Sequence, residues 1–393
     1  VERFLHDTST TVADEAIRAI HDLAFEPARP AVAALLDQRE QRAWTPFMLR
    51  RLIHSAFRLG GEQNAARVVG VAVDEKLPDE VRQEALRLLG LWTNPPPADQ
   101  STGHWMPLPA RDVKEVQAAL SAALPKLLKG SSDALRATLD LVEKYKLDVA
   151  NLSSETLSSL VANAKLSGPA RSKALQLWLE RKPEQLATIA NQYALDKNDQ
   201  VAMVAMAALA QLNPTEGVKE LGKAVKAGSA ARRQGAWKAL AALQAPGVDT
   251  LFVEGLKSLE EAKGVSPAAL ELMDAASART EPAVKDALAN LTKALQSADD
   301  KLLKWMPALE GGDAANGLAL YQAHPAGQCM RCHRASADAH AAGGEAGPNL
   351  AGVAKRGDRR YLMESIVYSS AVVVSGYGIV NVELANGATL AGT

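Results

Sequence analysis

Apolar and small side chains recur along most of the chain at the spacing of one helix face. From Val12 to about Ser277 they stand at i, i+3 or i+4, and i+7 or i+8, and short polar, Gly or Pro segments separate the runs. Clear examples are residues 14–20, 81–89, 170–175 and 201–209. This pattern predicts a mainly α fold built from helix hairpins.

A fixed step relates successive helices in the middle of the chain. Ala174, Ala205 and Ala236 occupy the same place in three consecutive runs, each 31 residues after the one before. Two helices and two tight turns fit into that length, although it is shorter than the ~40–47 residues usual for HEAT or armadillo units. The step predicts a HEAT-like α-solenoid with a long curved surface, and a helical bundle without regular stacking is the alternative.

One connection is much longer than an ordinary loop. Residues 93–112 are rich in Pro and include His104 and Trp105, two side chains that could anchor the loop on a neighbouring domain. We expect this loop to divide the helical array into two parts. A plain ordered linker, with an exposed histidine at position 104, is the other interpretation.

The pattern changes after Gly311 and Gly312, which mark a boundary behind further helical stretches between residues 281 and 307. A short amphipathic helix is predicted over residues 314–321, and alternation of period two begins near Gly376. The pair Asn386-Gly387 between alternating runs predicts a hairpin with a two-residue turn. We therefore expect a solenoid at residues 1–300 and a second domain at residues 301–393.

Composition and charge narrow the class of protein. Aromatic residues make up 4%, which favours helix packed on helix, and 44 basic against 45 acidic residues argue against a nucleic-acid partner. No apolar run approaches the ~18 residues of a transmembrane helix. The chain opens without Met or a secretory segment and stops just after the hairpin, which is marginal alone in water. We therefore expect a segment of a longer protein, incomplete at the C-terminus of its second domain.

The strongest chemical signal is the run Cys329-Met330-Arg331-Cys332-His333, the attachment pattern of c-type haem. Two thiols on one helical turn can each form a thioether with a haem vinyl group, and the adjacent imidazole can ligate the iron. A zinc site would need about four ligands at short spacings, and no second Cys pair exists. A thioredoxin-like dithiol would lie between a strand and a helix, and this redox use of the thiols is the remaining alternative.

The residues around this run resemble known families. Residues 311–321, the Cys-X-X-Cys-His run and residues 347–353 are similar to the class I cytochrome c plan. More narrowly, the chain resembles planctomycete-type multidomain dehydrogenases, on residues 361–366, 376–377, 382–387 and 105–112. In that family a haem-binding domain follows HEAT-like repeats, which follow a propeller resembling PQQ-dependent sugar dehydrogenases. The resemblance implies a mainly α protein, a HEAT-like solenoid followed by a class I cytochrome c-like domain with a C-terminal β-hairpin.

The resemblance also implies roles for the residues of the motif. Cys329 and Cys332 would be the thioether anchors, and His333 would be the proximal ligand of the haem iron. The carbonyl of Pro348 would accept the Nδ1 proton of His333, which fixes the tautomer and the orientation of the ring.

Other haem contacts follow from the same resemblance, with ordinary core or surface roles as alternatives. Leu350 would pack on the haem edge, and Arg356 would approach a propionate. The family's distal Met lies in a segment beyond residue 393, which leaves Met363 as a candidate, although a Met in such an amphipathic stretch is usually core filler. His340 and His324 are further candidates, close to the motif in sequence.

These features predict electron transfer through a covalently bound c-type haem, in the cytochrome module of a larger periplasmic dehydrogenase. Covalent haem attachment of this type belongs to the extracytoplasmic side. The resemblance assigns PQQ and the oxidation of a sugar or alcohol to a missing N-terminal domain, so the expected partners are that electron-donating domain and an electron acceptor. The alternative is a helical-repeat scaffold that binds a protein and carries an ancillary or ligand-sensing haem.

Overall fold

The computed structural model describes residues 1–147, 152–297, 299–324, 326–337 and 343–392. Helices dominate these residues, and the one sheet with named strands in the described part of the chain is a hairpin, so the predicted mainly α class is confirmed. The helices of the first half are α1 (Thr10–Asp22), α2 (Arg29–Ala34), α3 (Pro46–Leu59), α4 (Gly61–Ala72), α5 (Asp79–Gly90), α6 (Lys114–Leu127), α7 (Ser132–Lys144), α8 (Ser154–Ala162) and α9 (Gly168–Arg181). Those of the second half are α10 (Leu186–Tyr193), α11 (Asp199–Leu212), α12 (Pro214–Ala227), α13 (Ala230–Ala242), α14 (Val248–Glu261), α15 (Ala269–Ser277), α16 (Pro282–Gln296), α17 (Ala314–Ala323), α18 (Cys329–Cys332) and α19 (Arg359–Val367).

Contacts between residues divide the chain into two compact units. The first unit combines Val1–Ser153 with Leu318–Val353 and Val374–Thr393, and the second combines Ser154–Gly317 with Ala354–Val373. The division expected at residue 300 rests on composition along the chain, whereas these units rest on contacts. The boundary of the sequence domains therefore stays a prediction.

The helices of the first unit stack in chain order. Helix α3 packs on α4 and α5, α4 packs on α6, and α5 packs on α7, so contacts cross the 93–112 loop. The N–H of Arg111 donates to the carbonyl of Thr93 at 2.9 Å, which brings the two ends of the loop together. The expectation that this loop divides the array was wrong, because the chain leaves the stack and returns to the same place.

The 31-residue step of the sequence reappears in the second unit. Helices α9, α11 and α13 pack on one another in series, and their N-caps, Ser167, Asn198 and Ser229, each accept a backbone N–H of the first turn. The three alanines at that step, Ala174, Ala205 and Ala236, are fully buried. Helices of this unit therefore stack in the repetitive way that is typical of a solenoid-like class.

The chain's sheet consists of strands β1 (Val380–Glu383) and β2 (Thr389–Gly392), antiparallel and with every residue exposed. The N–H of Leu384 donates to the carbonyl of Ala388 at 2.8 Å, so three residues form the loop. The predicted two-residue turn was wrong, because it needs two residues with positive φ, and in this loop only Gly387 (φ 80°) has one.

None of the helices in the described ranges combines the length and the apolar character needed to span a bilayer.

Candidate functional site

The two cysteines lie on a single helical turn of the first unit. Helix α18 starts after Gln328, a residue with left-handed backbone (φ 44°), and closes with a bond of 3.0 Å from the N–H of His333 to the carbonyl of Cys329. Residues three apart lie on one side of a helical turn, so both sulfurs belong to the same face. Both thiols are free; Cys329 is half-buried and Cys332 is exposed.

The imidazole that follows this turn is held at one nitrogen. His333 Nδ1 lies 2.9 Å from the carbonyl oxygen of Pro348, the contact that the resemblance implies. In the neutral ring Nδ1 carries the proton and donates it to this oxygen, which leaves the Nε2 lone pair available to a metal. The hydroxyl of Tyr321 donates to the carbonyl of His333 at 2.7 Å. Burial raises the pKa of Tyr321, with a smaller contribution from the neighbouring Cys329, so this donor stays protonated.

Glycines bring the 343–350 segment against the turn. The N–H groups of Gly344 and Gly347 donate to the carbonyls of Met330 and Cys332, both at 2.8 Å. A Cβ atom on Gly347 would lie 2.5 Å from Cε1 of the His333 ring, and one on Gly344 would lie 2.0 Å from the Arg331 carbonyl oxygen. Only glycine at these two positions therefore leaves room for the His333 imidazole and for the main chain of the turn.

The surroundings of the turn have almost no apolar core. Among the residues of 314–392 whose burial the structure describes, Met330 alone is buried. Leu318 and Leu320 of α17 are 54% and 47% exposed. So few buried side chains give the segment little hydrophobic stabilisation of its own, and its exposed apolar side chains could pack on a large apolar group.

These observations fit a haem. The two thiols on one face of the turn would react with its vinyl groups. The available Nε2 lone pair of the imidazole would ligate its iron, and the exposed apolar side chains would pack on its ring. In the described residues, no three His, Cys, Asp or Glu side chains gather as ligands of a metal ion. Haem needs no such cluster, since the porphyrin supplies four of the iron's ligands.

The other predicted site residues are in different places. Leu350 is half-buried in the first unit, and its N–H donates to the carbonyl of Arg334 at 2.7 Å. Arg356 is exposed, Met363 is half-buried on α19, and both belong to the second unit. His340 lies outside the described residues. The haem roles of Leu350, Arg356 and Met363 remain predictions.

His324 uses one ring nitrogen within its own loop. It is exposed, and its Nδ1 accepts the N–H of Gly327 at 2.8 Å. In the neutral ring the proton then lies on Nε2, which has no lone pair left for iron. This arrangement argues against His324 as the distal ligand.

A buried polar cluster in the first unit escaped the sequence analysis. His21 of α1 and His54 of α3 are buried, with rings 6.2 Å apart. His54 Nε2 lies 2.6 Å from Oε1 of Glu84, and His21 Nε2 lies 3.0 Å from Oγ of Ser101 in the long loop. The available signal was that both histidines stand on the apolar stripes of their helices, where a polar residue needs a buried partner.

The same cluster grips the long loop through charged groups. Arg58 Nη1 donates to Oδ2 of Asp99 at 3.3 Å and to the carbonyl of Met106 at 3.3 Å. Arg87 Nη1 donates to Oε1 of Gln100 at 3.0 Å. Asp99 and Gln100 are buried, so three residues of a surface loop, counting Ser101, end in the interior of a helical stack.

Burial shapes the ionisation of this cluster. Burial lowers the pKa of His21 to about 3; the Asp99 carboxylate raises it in part, and the nearby His54, Arg29 and Arg51 lower it further, so His21 is neutral. For Asp99 burial acts in the opposite direction, but the hydrogen bonds from the backbone N–H groups of Thr102 and Ser101 favour the carboxylate, and the pKa of Asp99 lies below its usual value. The loop is therefore held by an ionised carboxylate and a neutral imidazole.

No known protein family model matches the chain, and a search of curated proteins finds no relative.

Proposed function

We propose that the chain is an electron-transfer module with one c-type haem, attached through Cys329 and Cys332 and ligated by His333. The observation that carries the proposal is the contact of 2.9 Å between His333 Nδ1 and the Pro348 carbonyl, next to two free thiols on one turn. When bound, the haem supplies an iron that accepts and releases one electron. The thiols anchor the group, and the Pro348 carbonyl orients the imidazole and makes it a stronger ligand.

The resemblance extends this proposal to the whole chain. The stacked helices would be HEAT-like repeats, and the segment from residue 301 would be a class I cytochrome c-like domain that works beside a PQQ-dependent dehydrogenase of a sugar or alcohol. A protein of this kind would work in the periplasm. Arg356 would meet a propionate, Leu350 the haem edge, and Met363 would be a candidate for the distal position.

The test starts with covalent attachment. We expect full-length protein produced with haem maturation machinery to keep its haem after denaturation and acid-acetone extraction, since thioethers survive unfolding. His333→Ala should remove nearly all holoprotein, whereas His324→Ala, a change of an exposed histidine in the same segment, should not. Complete extraction of the haem by acid-acetone would refute the attachment.

Electron transfer needs a separate measurement. Potentiometric titration of the holoprotein with soluble redox mediators should give a reversible one-electron transition. If the ferrous protein instead binds carbon monoxide and the haem exchanges no electrons with mediators, the scaffold with a ligand-sensing haem is the better description.

A further inference from the structure

The tip of the long loop, residues 97–106, forms a tight hairpin-like turn. The N–H of Asp99 donates to the carbonyl of His104 at 2.8 Å, and the N–H of Gly103 donates back to the carbonyl of Asp99 at 2.9 Å. The Asp99 carboxylate also accepts the N–H groups of Ser101 and Thr102 at 3.0 and 2.8 Å. Asp99 therefore fixes the shape of the turn and, through Arg58 and the buried cluster, its place on the helices.

Gly103 at this tip lies against helix α18 (Cys329–Cys332), which is called the haem-attachment turn below. It is buried and has left-handed backbone with φ 74°. A Cβ atom at this position would lie 3.1 Å from Cα and 3.5 Å from the backbone nitrogen of Arg331. Because these are main-chain atoms in the middle of the Cys-X-X-Cys run, no side-chain rotation could relieve the approach.

The contact falls where the segment 314–392 has its one described buried side chain, Met330, next to Arg331. The turn is otherwise open, since Arg331 and Cys332 are exposed. Residues 97–106 thus offer a close-fitting surface to a turn whose neighbours in sequence have few buried side chains.

We propose that residues 97–106 are a docking surface for the haem-attachment turn, and that Asp99 and Gly103 act as positioning residues that fix the turn on the helices. The proposal rests on the proposed function for the chemistry at the thiols, while the contact itself involves only the polypeptide. The cluster explains why a long loop is rigid enough for this task, because Asp99, Gln100 and Ser101 each form a hydrogen bond with a side chain of the helices, Arg58, Arg87 and His21 respectively.

The test compares two glycines with the same backbone conformation. Gly103→Ala places a methyl group against the main chain of Arg331, whereas Gly61→Ala, at φ 79° in the same unit, meets nothing within 4 Å. Both changes carry the same kind of left-handed backbone strain, because the two φ angles are nearly equal. The measurement is hydrogen exchange of the amides of residues 328–334 in the full-length protein with free thiols.

We expect exchange in this peptide to rise about tenfold in Gly103→Ala and to stay unchanged in Gly61→Ala. An equal rise in both variants, or no rise in Gly103→Ala, would overturn the docking proposal. Asp99→Asn should raise exchange in the same peptide, and Asp112→Asn, an exposed carboxylate at the end of the loop, should not. If Asp99→Asn leaves the exchange unchanged, its positioning role is wrong.

Haem loading separates this proposal from the proposed function. If the exchange contrast holds but the wild-type protein never acquires covalent haem, the docking surface stands and the electron-transfer proposal fails. If haem attaches and the exchange contrast is absent, the reverse conclusion applies.

Discussion

At position 347 a methyl group would take up space that the imidazole of His333 occupies. Because the added Cβ would overlap the ring, we expect Gly347→Ala to displace His333 from the Pro348 carbonyl and to reduce the yield of haem-loaded protein several-fold. The measurement is the haem absorption per protein after purification. Gly378→Ala is the matched control, since its Cβ would meet nothing within 4 Å. Equal yields from the two variants would show that His333 does not need a glycine at position 347.

The buried His21 gives the first unit a dependence on pH. Its folded pKa of about 3 lies below the unfolded value near 6.5, so below pH 6.5 the unfolded chain binds a proton that the folded chain does not. As the pH is lowered from 6.5 to 3, the free energy of unfolding should therefore decrease, by at most about 1.4 kcal/mol per pH unit.

The check on His21 is a series of melting curves between pH 7.5 and 5.5. His21→Gln should show a smaller loss of melting temperature over this range than wild type, and His104→Gln, in the exposed part of the loop, should follow wild type. If all three proteins lose the same number of degrees, His21 is not the titrating group.

At the scale of elements, close approaches between helices limit where side chains can grow. Gly255 of α14 lies so near the Trp237 ring of α13 that a Cβ would be 2.8 Å from Cη2. Alanine is the better helix former by about 1 kcal/mol, but overpacking costs typically ~1–3 kcal/mol. We expect Gly255→Ala to lower the free energy of unfolding by about 1 kcal/mol, measured by urea denaturation.

Gly222 of α12 is the matched position, because its nearest neighbour would be a methyl group of Leu251 at 3.4 Å, an ordinary contact with a flexible side chain. Gly222→Ala should leave the stability unchanged or raise it. A stabilised Gly255→Ala would mean that the Trp237 ring moves aside at little cost.

The same elements show what the sequence can and cannot predict. The 31-residue step was visible because Ala174 and its two counterparts must be small wherever helices stack. The contact between His333 and Pro348 was accessible only through resemblance, since 15 residues separate them and a loop joins them. The path of the 93–112 loop was not accessible, because it depends on His21 and Arg58, whose partners are distant in sequence. A local pattern cannot report such a pairing.

At the scale of the whole molecule, the described part of residues 314–392 contrasts with the well-buried helices before it. If haem supplies the missing apolar contacts, trypsin should cut the haem-free protein first within residues 314–392 and leave this segment intact in the holoprotein. Mass spectrometry of the fragments gives the positions. Cleavage within residues 170–260 serves as the internal control and should be equally slow in both forms.

Early cuts in the same segment of both forms would show that haem does not stabilise it. In that case the exposed Leu318 and Leu320 would have to be covered by something other than the cofactor.

The repeated caps at Ser167, Asn198 and Ser229 have a consequence for how this protein can change its length. The helices that these residues cap, α9, α11 and α13, contact one another in series, so two consecutive stretches of 31 residues each carry a helix start, a buried face and a matching neighbour. Such a stretch is a repeating unit, and in a solenoid-like array the addition or removal of one unit would restore the same kind of helix junction. Gain or loss of whole repeating units would then change the length of the helical array while each junction between helices stays the same.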